Sequence, residues 1–180
     1  MKMSAPVKLS EIGGSLDAGS DEISAQKKPL VDELLSQARQ LLHGARDFIA
    51  NAAKISALLF ERLPNVNWAG FYLLKGDQLV LGPFQGKPAC TRIAMGKGVC
   101  GTAAAKKETV VVANVHEFPA HIACDPESKS EIVLPLVYQG RLLGVLDLDS
   151  PHVGRFDAAD QTGLERIVEA LLAGSELPAL

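Results

Sequence analysis

Three cysteines, Cys90, Cys100 and Cys124, stand in one stretch of the chain, and the rest of the sequence has none. They sit in the words GPFQGKPAC, GKGVCG and HIACDPESKSEI, turn-rich segments where backbone runs near solvent. Reactive thiols occupy such places, whereas structural free cysteines belong to apolar runs. The chemistry this suggests is a thiolate that attacks a substrate and a second thiol that resolves the product as a disulfide. Electrostatics favours Cys100 as the attacker, because it follows Gly98 at an expected helix start, where the helix dipole lowers a thiol pKa. Cys90 has Lys87 and Arg92 close by; Cys124 precedes Asp125, which opposes a thiolate, with His121 to offset it. Two other uses compete. His116, His121 and Cys124 form an H-x4-H-x2-C pattern, but without a CxxC pair the spacing suits zinc poorly, and no metal is expected. Alternatively, the thiols are passive residents of a domain that senses a nucleotide or small metabolite.

A second set of groups lies on two strands. In Asn67–Leu74 the period-2 alternation puts Trp68, Gly70, Tyr72 and Leu74 on one face, two rings with a notch between them. The competing reading of Trp68 and Tyr72 is plain packing. In Arg141–Asp149 the same alternation puts Asp147 and Asp149 on one face with Leu143 and Val145. A strand apolar on both sides is a buried one, so these carboxylates line a cavity and call for a cation, a metal ion or a ligand's ammonium group. A solvated turn at Asp149-Ser150-Pro151 is the plainer alternative. Glu131, entering the neighbouring strand, adds a third acid.

These residues need a scaffold. Pro29 opens a helical pattern carried by Leu30, Leu34, Leu35, Ala38, Leu41 and Leu42, and residues 1–28 read as a loose leader ahead of a single domain over 29–180. A second helix is expected from Asp47 to Leu63, a short one near Val99 and a final amphipathic one from Asp157 to Leu172. Strands Asn67–Leu74 and Gln78–Leu81 flank Lys75-Gly76-Asp77, and Ile132–Tyr138 and Arg141–Asp149 flank Gln139-Gly140, two hairpin signals. Thr109–Asn114 is a further short strand, and His116–Ser130 a polar loop. Helices at both ends of a largely antiparallel sheet define an α+β single domain.

Bulk properties narrow the function classes. A net charge of −3 offers no basis for binding nucleic acid or an anionic membrane surface. No apolar run approaches the roughly 18 residues that span a bilayer. An uneven number of thiols suits a reducing cytosol better than a secreted setting, so the expected location is cytoplasmic.

The words LGPFQGKPACTRI, GKGVCGTAA, HIACDPESKSEIVLPL and GVLDLDSP resemble the free methionine-(R)-sulfoxide reductases, enzymes built on a GAF domain. The similarity runs from about Pro29 to the last helix, and the three cysteines in these contexts separate it from ordinary GAF domains. The resemblance implies that Cys124 is the nucleophile, Cys90 the main resolving thiol and Cys100 an auxiliary one. It implies that Trp68 and Tyr72 hold the side-chain end of free methionine-(R)-sulfoxide, with the notch at Gly70 between them. Glu131, Asp147 and Asp149 then hold its ammonium group and reach the sulfoxide oxygen, with Glu131 or Asp149 as the proton donor. It further implies no bound cofactor, thioredoxin or a similar dithiol as reductant, and a homodimer through the helical face. Crowding three acids together is expected to raise at least one pKa enough to keep a carboxyl neutral near pH 7.

Overall fold

The computed structural model describes residues 18–119 and 125–177. In chain order these form α1 (Ala18–Leu42), α2 (Phe48–Arg62), β1 (Trp68–Lys75), β2 (Gln78–Gly86), β3 (Arg92–Ala94), α3 (Gly98–Lys106), β4 (Val110–Val112), β5 (Ser130–Tyr138), β6 (Arg141–Ser150) and α4 (Ala158–Gly174). Both expected hairpins are present. Lys75 pairs with Gln78 around Gly76-Asp77, and Tyr138 pairs with Arg141 around Gln139-Gly140. Gln139 and Gly140 have φ of 49° and 77°, the paired positive values of the tight turn that matches strand twist.

The six strands form one antiparallel sheet in the order β3-β2-β1-β6-β5-β4. One face carries Ala69, Phe71, Ile132, Leu134, Leu146 and Leu148, which pack against α1, α2 and α4 in the larger core. The other face carries Trp68, Tyr72, Val133 and Val145, which pack with Val99, Ala103 and Ala104 of α3. The central strands are thus apolar on both sides, and any polar group on the α3 face is held out of water.

Local capping sets the helix starts. The Asp47 carboxylate accepts from the Ala50 amide at 2.7 Å, and Asp157 forms a reciprocal capping box with Asp160. Leu63 ends α2, immediately before Pro64 and Asn65. Asp160 also receives Arg155 Nη1 at 2.9 Å and Lys27 Nζ at 2.6 Å, an ion cluster that ties the start of α4 to α1. Helix α1 differs from expectation: it begins at Ala18, with Pro29 inside it rather than at its start. The Lys27 anchor to Asp157 and Asp160 gives the turn before the proline a tertiary partner, which offsets the hydrogen bond that proline cannot make. Of the expected leader, residues 1–17 lie outside the described residues. The α1–α4 contact depends on Gly163, where a Cβ would come within 1.8 Å of Val31 Cγ1.

Two irregularities change which side chains share a face. Leu136 pairs with Gly144 and Val137 with Leu142, so Leu143 is an extra residue in β6. It therefore joins the helical core and not the face of Val145, Asp147 and Asp149, where simple alternation put it. In β2 the register slips between the partners of Gly70 and Tyr72, which brings Phe84 opposite Gly70. The expected loop 116–130 begins inside a 3-10 turn, Val115–Glu117, and its last residue opens β5. Among the described residues no helix is long and apolar enough to cross a membrane.

Candidate active site

The register of β1, β6 and β5 assembles the acids. Trp68 pairs with Asp149 and Gly70 with Asp147, while Glu131 pairs with Asp149 from the other side. All these positions lie on the α3 face, so Glu131, Asp147 and Asp149 converge beneath the start of that helix. Gly101 permits the close seat of α3, since a Cβ there would come within 2.4 Å of the Ala94 carbonyl. Cys100 thereby reaches the acids, its Sγ 3.8 Å from Glu131 Oε1. One donor atom each from Cys100, Glu131 and Asp147 lie within 4.8 Å of one another.

A cleft of about 380 Å³, its open mouth included, is lined by these three residues with Tyr72 and Asp149. Lys97, Gly98 and Val99 from the beginning of α3 and Asp125 and Ser128 from the loop before β5 complete the wall. Lys97, the N-cap residue of α3, makes no side-chain bond to the first amides of the helix, which begin where it meets the cleft. The loop is fixed from below: Asn67 Nδ2 donates to Asp125 at 3.3 Å and to Ser128 at 3.2 Å, and the Lys129 amide donates to the Ser150 carbonyl at 2.7 Å.

Burial decides the charge state of the cluster. Asp147 is pushed up to about 7, chiefly by loss of solvent, against hydrogen bonds from Cys100 and Glu131 that favour its carboxylate. Glu131 and Asp149 are also raised well above the usual carboxylate range, first by burial and then by the neighbouring Asp147. Three such groups crowded on one largely buried wall cannot all be ionised, so the cluster holds protons near pH 7. The Cys100 thiol is raised as well, by burial and then by Asp147 and Glu131. This overturns the electrostatic case for Cys100 as the thiolate: its helix-start position is real, but burial, and then the acids facing it, outweigh the dipole. Tyr72 keeps its phenolic proton for the same reasons.

The aromatic pair divides. Tyr72 lines the cleft, whereas Trp68 lies behind it, stacked on Tyr72 at 5.8 Å and on Phe84 at 5.5 Å. Trp68 Nε1 donates to the Lys87 carbonyl at 3.0 Å. The notch at Gly70 is already filled: a Cβ there would meet Phe84 Cβ at 2.4 Å and Trp68 Cη2 at 2.6 Å. Phe84 escaped the sequence reading because its face depends on the register slip in β2. Asp125 and Ser128 had a local signal in the turn-forming DPES, where Asp125 Oδ1 accepts from the Glu127 amide.

Of the thiols, Cys100 is free and buried, and Cys90, half-buried after β2, is disulfide-bonded. Cys124 and His121 lie outside the described residues, and with them the expected nucleophile and most of the zinc pattern; His116 is exposed.

The GAF domain family matches residues 28–172. A free methionine-R-sulfoxide reductase of Escherichia coli (strain K12) is 56% identical over 131 residues, covering 73% of this chain and 79% of its own length. The chain belongs to the GAF-domain family of free methionine-R-sulfoxide reductases. Another member, from Saccharomyces cerevisiae, is 41% identical and covers 81% of this chain and 85% of its own. Among solved structures, the free methionine-R-sulfoxide reductase from Neisseria meningitidis in complex with its substrate superposes with a TM-score of 0.80 at 46% identity, over 82% of this chain and 89% of that one. The antiparallel α+β fold expected from the sequence is the fold of this reductase family.

Proposed function

We propose that this protein reduces free L-methionine-(R)-sulfoxide to methionine at the cleft beneath α3. The observation that carries the reading is a wall of three carboxyl groups, Glu131 and Asp147 buried and Asp149 half-buried, facing the start of helix α3. That arrangement complements a zwitterion: Glu131, Asp147 and Asp149 take the ammonium group, and the α3 amides at Gly98 and Val99 take the carboxylate. Tyr72 closes the side-chain end, backed by Trp68. A peptide-bound residue has no free ammonium group and leaves these acids unpaired, which disfavours it by several kcal/mol, on the order of a thousandfold or more.

In the proposed reaction the Cys124 thiolate attacks the sulfoxide sulfur while Glu131 or Asp149, directly or through water, gives a proton to the oxygen. In the resulting intermediate the hydroxyl passes from the substrate sulfur to the Cys124 sulfur as the new sulfur–sulfur bond breaks, so that methionine leaves with the two electrons the cysteine gives up and Cys124 becomes a sulfenic acid. Cys90 attacks that sulfur, releasing water and forming a disulfide. The pairing is supported by the bonded state of Cys90 and the free state of Cys100 in a chain with three cysteines. Cys100 serves as the auxiliary thiol; its raised pKa suits a reserve rather than the attacking role. A thioredoxin-class dithiol reopens the disulfide, without a bound cofactor, in a reducing cytoplasm and as a homodimer through the helical layer. The test is turnover of free methionine-(R)-sulfoxide with thioredoxin or dithiothreitol. Methionine formation is expected; its absence with folded, reduced protein contradicts the proposal.

A further inference from the structure

The auxiliary redox role of Cys100 does not account for its place among the acids, because an ammonium group needs the carboxyl groups but has no use for a buried thiol beside them. Its sulfur faces two carboxyl groups, and the three donor atoms lie within 4.8 Å of one another. Asp147 is 5% exposed, and although its carboxyl group bonds to Cys100 and Glu131, one oxygen, Oδ1, is buried in this wall with no hydrogen-bond partner among the described residues. A buried acceptor left in that state marks a place where a ligand supplies the missing interaction.

The spacing matches a particular kind of ligand. Zinc bonds of about 2.3 Å to sulfur and 2.0 Å to oxygen, at a tetrahedral angle, set the two donors about 3.5 Å apart. Cys100 Sγ and Glu131 Oε1 are 3.8 Å apart, so a small adjustment of either rotamer completes that edge. One thiolate with carboxylates selects zinc and cobalt over magnesium and calcium, which take oxygen alone. Three protein donors leave one position open to the cleft.

We propose that Cys100, Glu131 and Asp147 form a binding site for a zinc-class divalent cation, which occupies the cleft in competition with an amino acid ligand. The competition rests on the reductase reading of the cleft; the metal site does not. The donor set is separate from the His116, His121 and Cys124 pattern in the sequence. On binding, the cation displaces the protons shared by the thiol and the acids, and no change of oxidation state is involved. Such a site makes zinc a reversible inhibitor, with Cys100 as the residue that confers metal affinity.

The experiment uses the full chain in its disulfide form, in which Cys100 is the free thiol, with cobalt(II) as the probe. A thiolate-to-cobalt charge-transfer band is expected in the near ultraviolet, saturating at one equivalent and removed by one equivalent of zinc. C100S is expected to lose the band, and D147N to weaken cobalt binding at least tenfold. No band in the wild-type protein, or a band that survives in C100S, overturns the proposal. If C100S does not fold, the wild-type and D147N titrations decide it, and unaltered binding by D147N contradicts it. Free methionine is expected to weaken cobalt binding competitively. A band that methionine does not affect upholds the metal site and counts against the reductase reading of the cleft.

Discussion

Glu131 stands directly across from Asp149 on the adjacent strand, so a buried carboxyl group and a half-buried one lie side by side on the α3 face. Like charges in this position destabilise a sheet, and burial adds to the cost. Asp147, two residues along β6, deepens it. A fold tolerates such a wall when the wall serves a ligand, and the predictions below separate its cost from its use.

The first concerns pH. With the Asp147 carboxyl near 7 in the folded chain and about 4 when unfolded, the native state holds a proton that the unfolded chain releases between these values. Stability of the ligand-free protein therefore falls as pH rises from about 4 through 7 and levels off above that, an effect the raised Glu131 and Asp149 reinforce. Asp147→Asn is expected to gain on the order of 2 kcal/mol at pH 8 and little at pH 4. Urea unfolding at the two pH values measures it, and a variant no more stable than wild type at pH 8 contradicts the assignment.

The same substitution has the opposite effect on substrate. Asp147→Asn removes one partner of the ammonium group, so KM for free methionine-(R)-sulfoxide is expected to rise about tenfold or more, by the usual worth of a charged hydrogen bond. Steady-state kinetics checks this. An unchanged KM places Asp147 outside the ammonium site.

Gly70 tests the packing behind the cleft. Gly70→Ala pushes a methyl group into Phe84 and the Trp68 ring, both within 2.6 Å of its Cβ position. A loss of about 1–3 kcal/mol is expected from overpacking, read from denaturant midpoints at unchanged slope. A neutral effect shows that the Trp68–Phe84 stack is looser than described.

Asp160 tests the anchor of α1. Its carboxylate, 3% exposed, holds Arg155 and Lys27 together. Asp160→Asn leaves the buried guanidinium without its counterion, and a loss of about 3–5 kcal/mol is expected in thermal or urea unfolding. A loss of less than about 1 kcal/mol, no more than a surface ion pair contributes, assigns the anchor no structural role.

Much of this was legible in the sequence for identifiable reasons. The β1–β2 and β5–β6 hairpins announce themselves through alternating strands around Gly76-Asp77 and Gln139-Gly140, and α2 and α4 through Asp47 and Asp157. Asp147 and Asp149 share a face because period-2 alternation holds between them. Alternation breaks where a residue is inserted, and so the faces of Leu143 and Phe84 were hidden. The state of Cys100 was hidden differently: the helix start is a local feature, but Glu131 and Asp147 arrive from strands far along the chain. The notch at Gly70 read as open because the ring that fills it beside Trp68 comes from β2.

The thiols order the reaction. Cys90→Ser is expected to leave the first turnover intact while slowing thioredoxin-driven cycling at least tenfold, and Cys124→Ser to abolish both. Rapid-quench methionine analysis beside steady-state rates distinguishes them. An active Cys124→Ser together with an inactive Cys100→Ser reverses the assignment.

The most direct measurement compares kcat/KM of the reduced wild-type protein for free L-methionine-(R)-sulfoxide and for its N-acetyl derivative, with dithiothreitol as reductant. A preference for the free amino acid of about a thousandfold or more is expected, because only its ammonium group can pair with Glu131, Asp147 and Asp149. Comparable values for the two substrates contradict a cleft built to read a free amino acid.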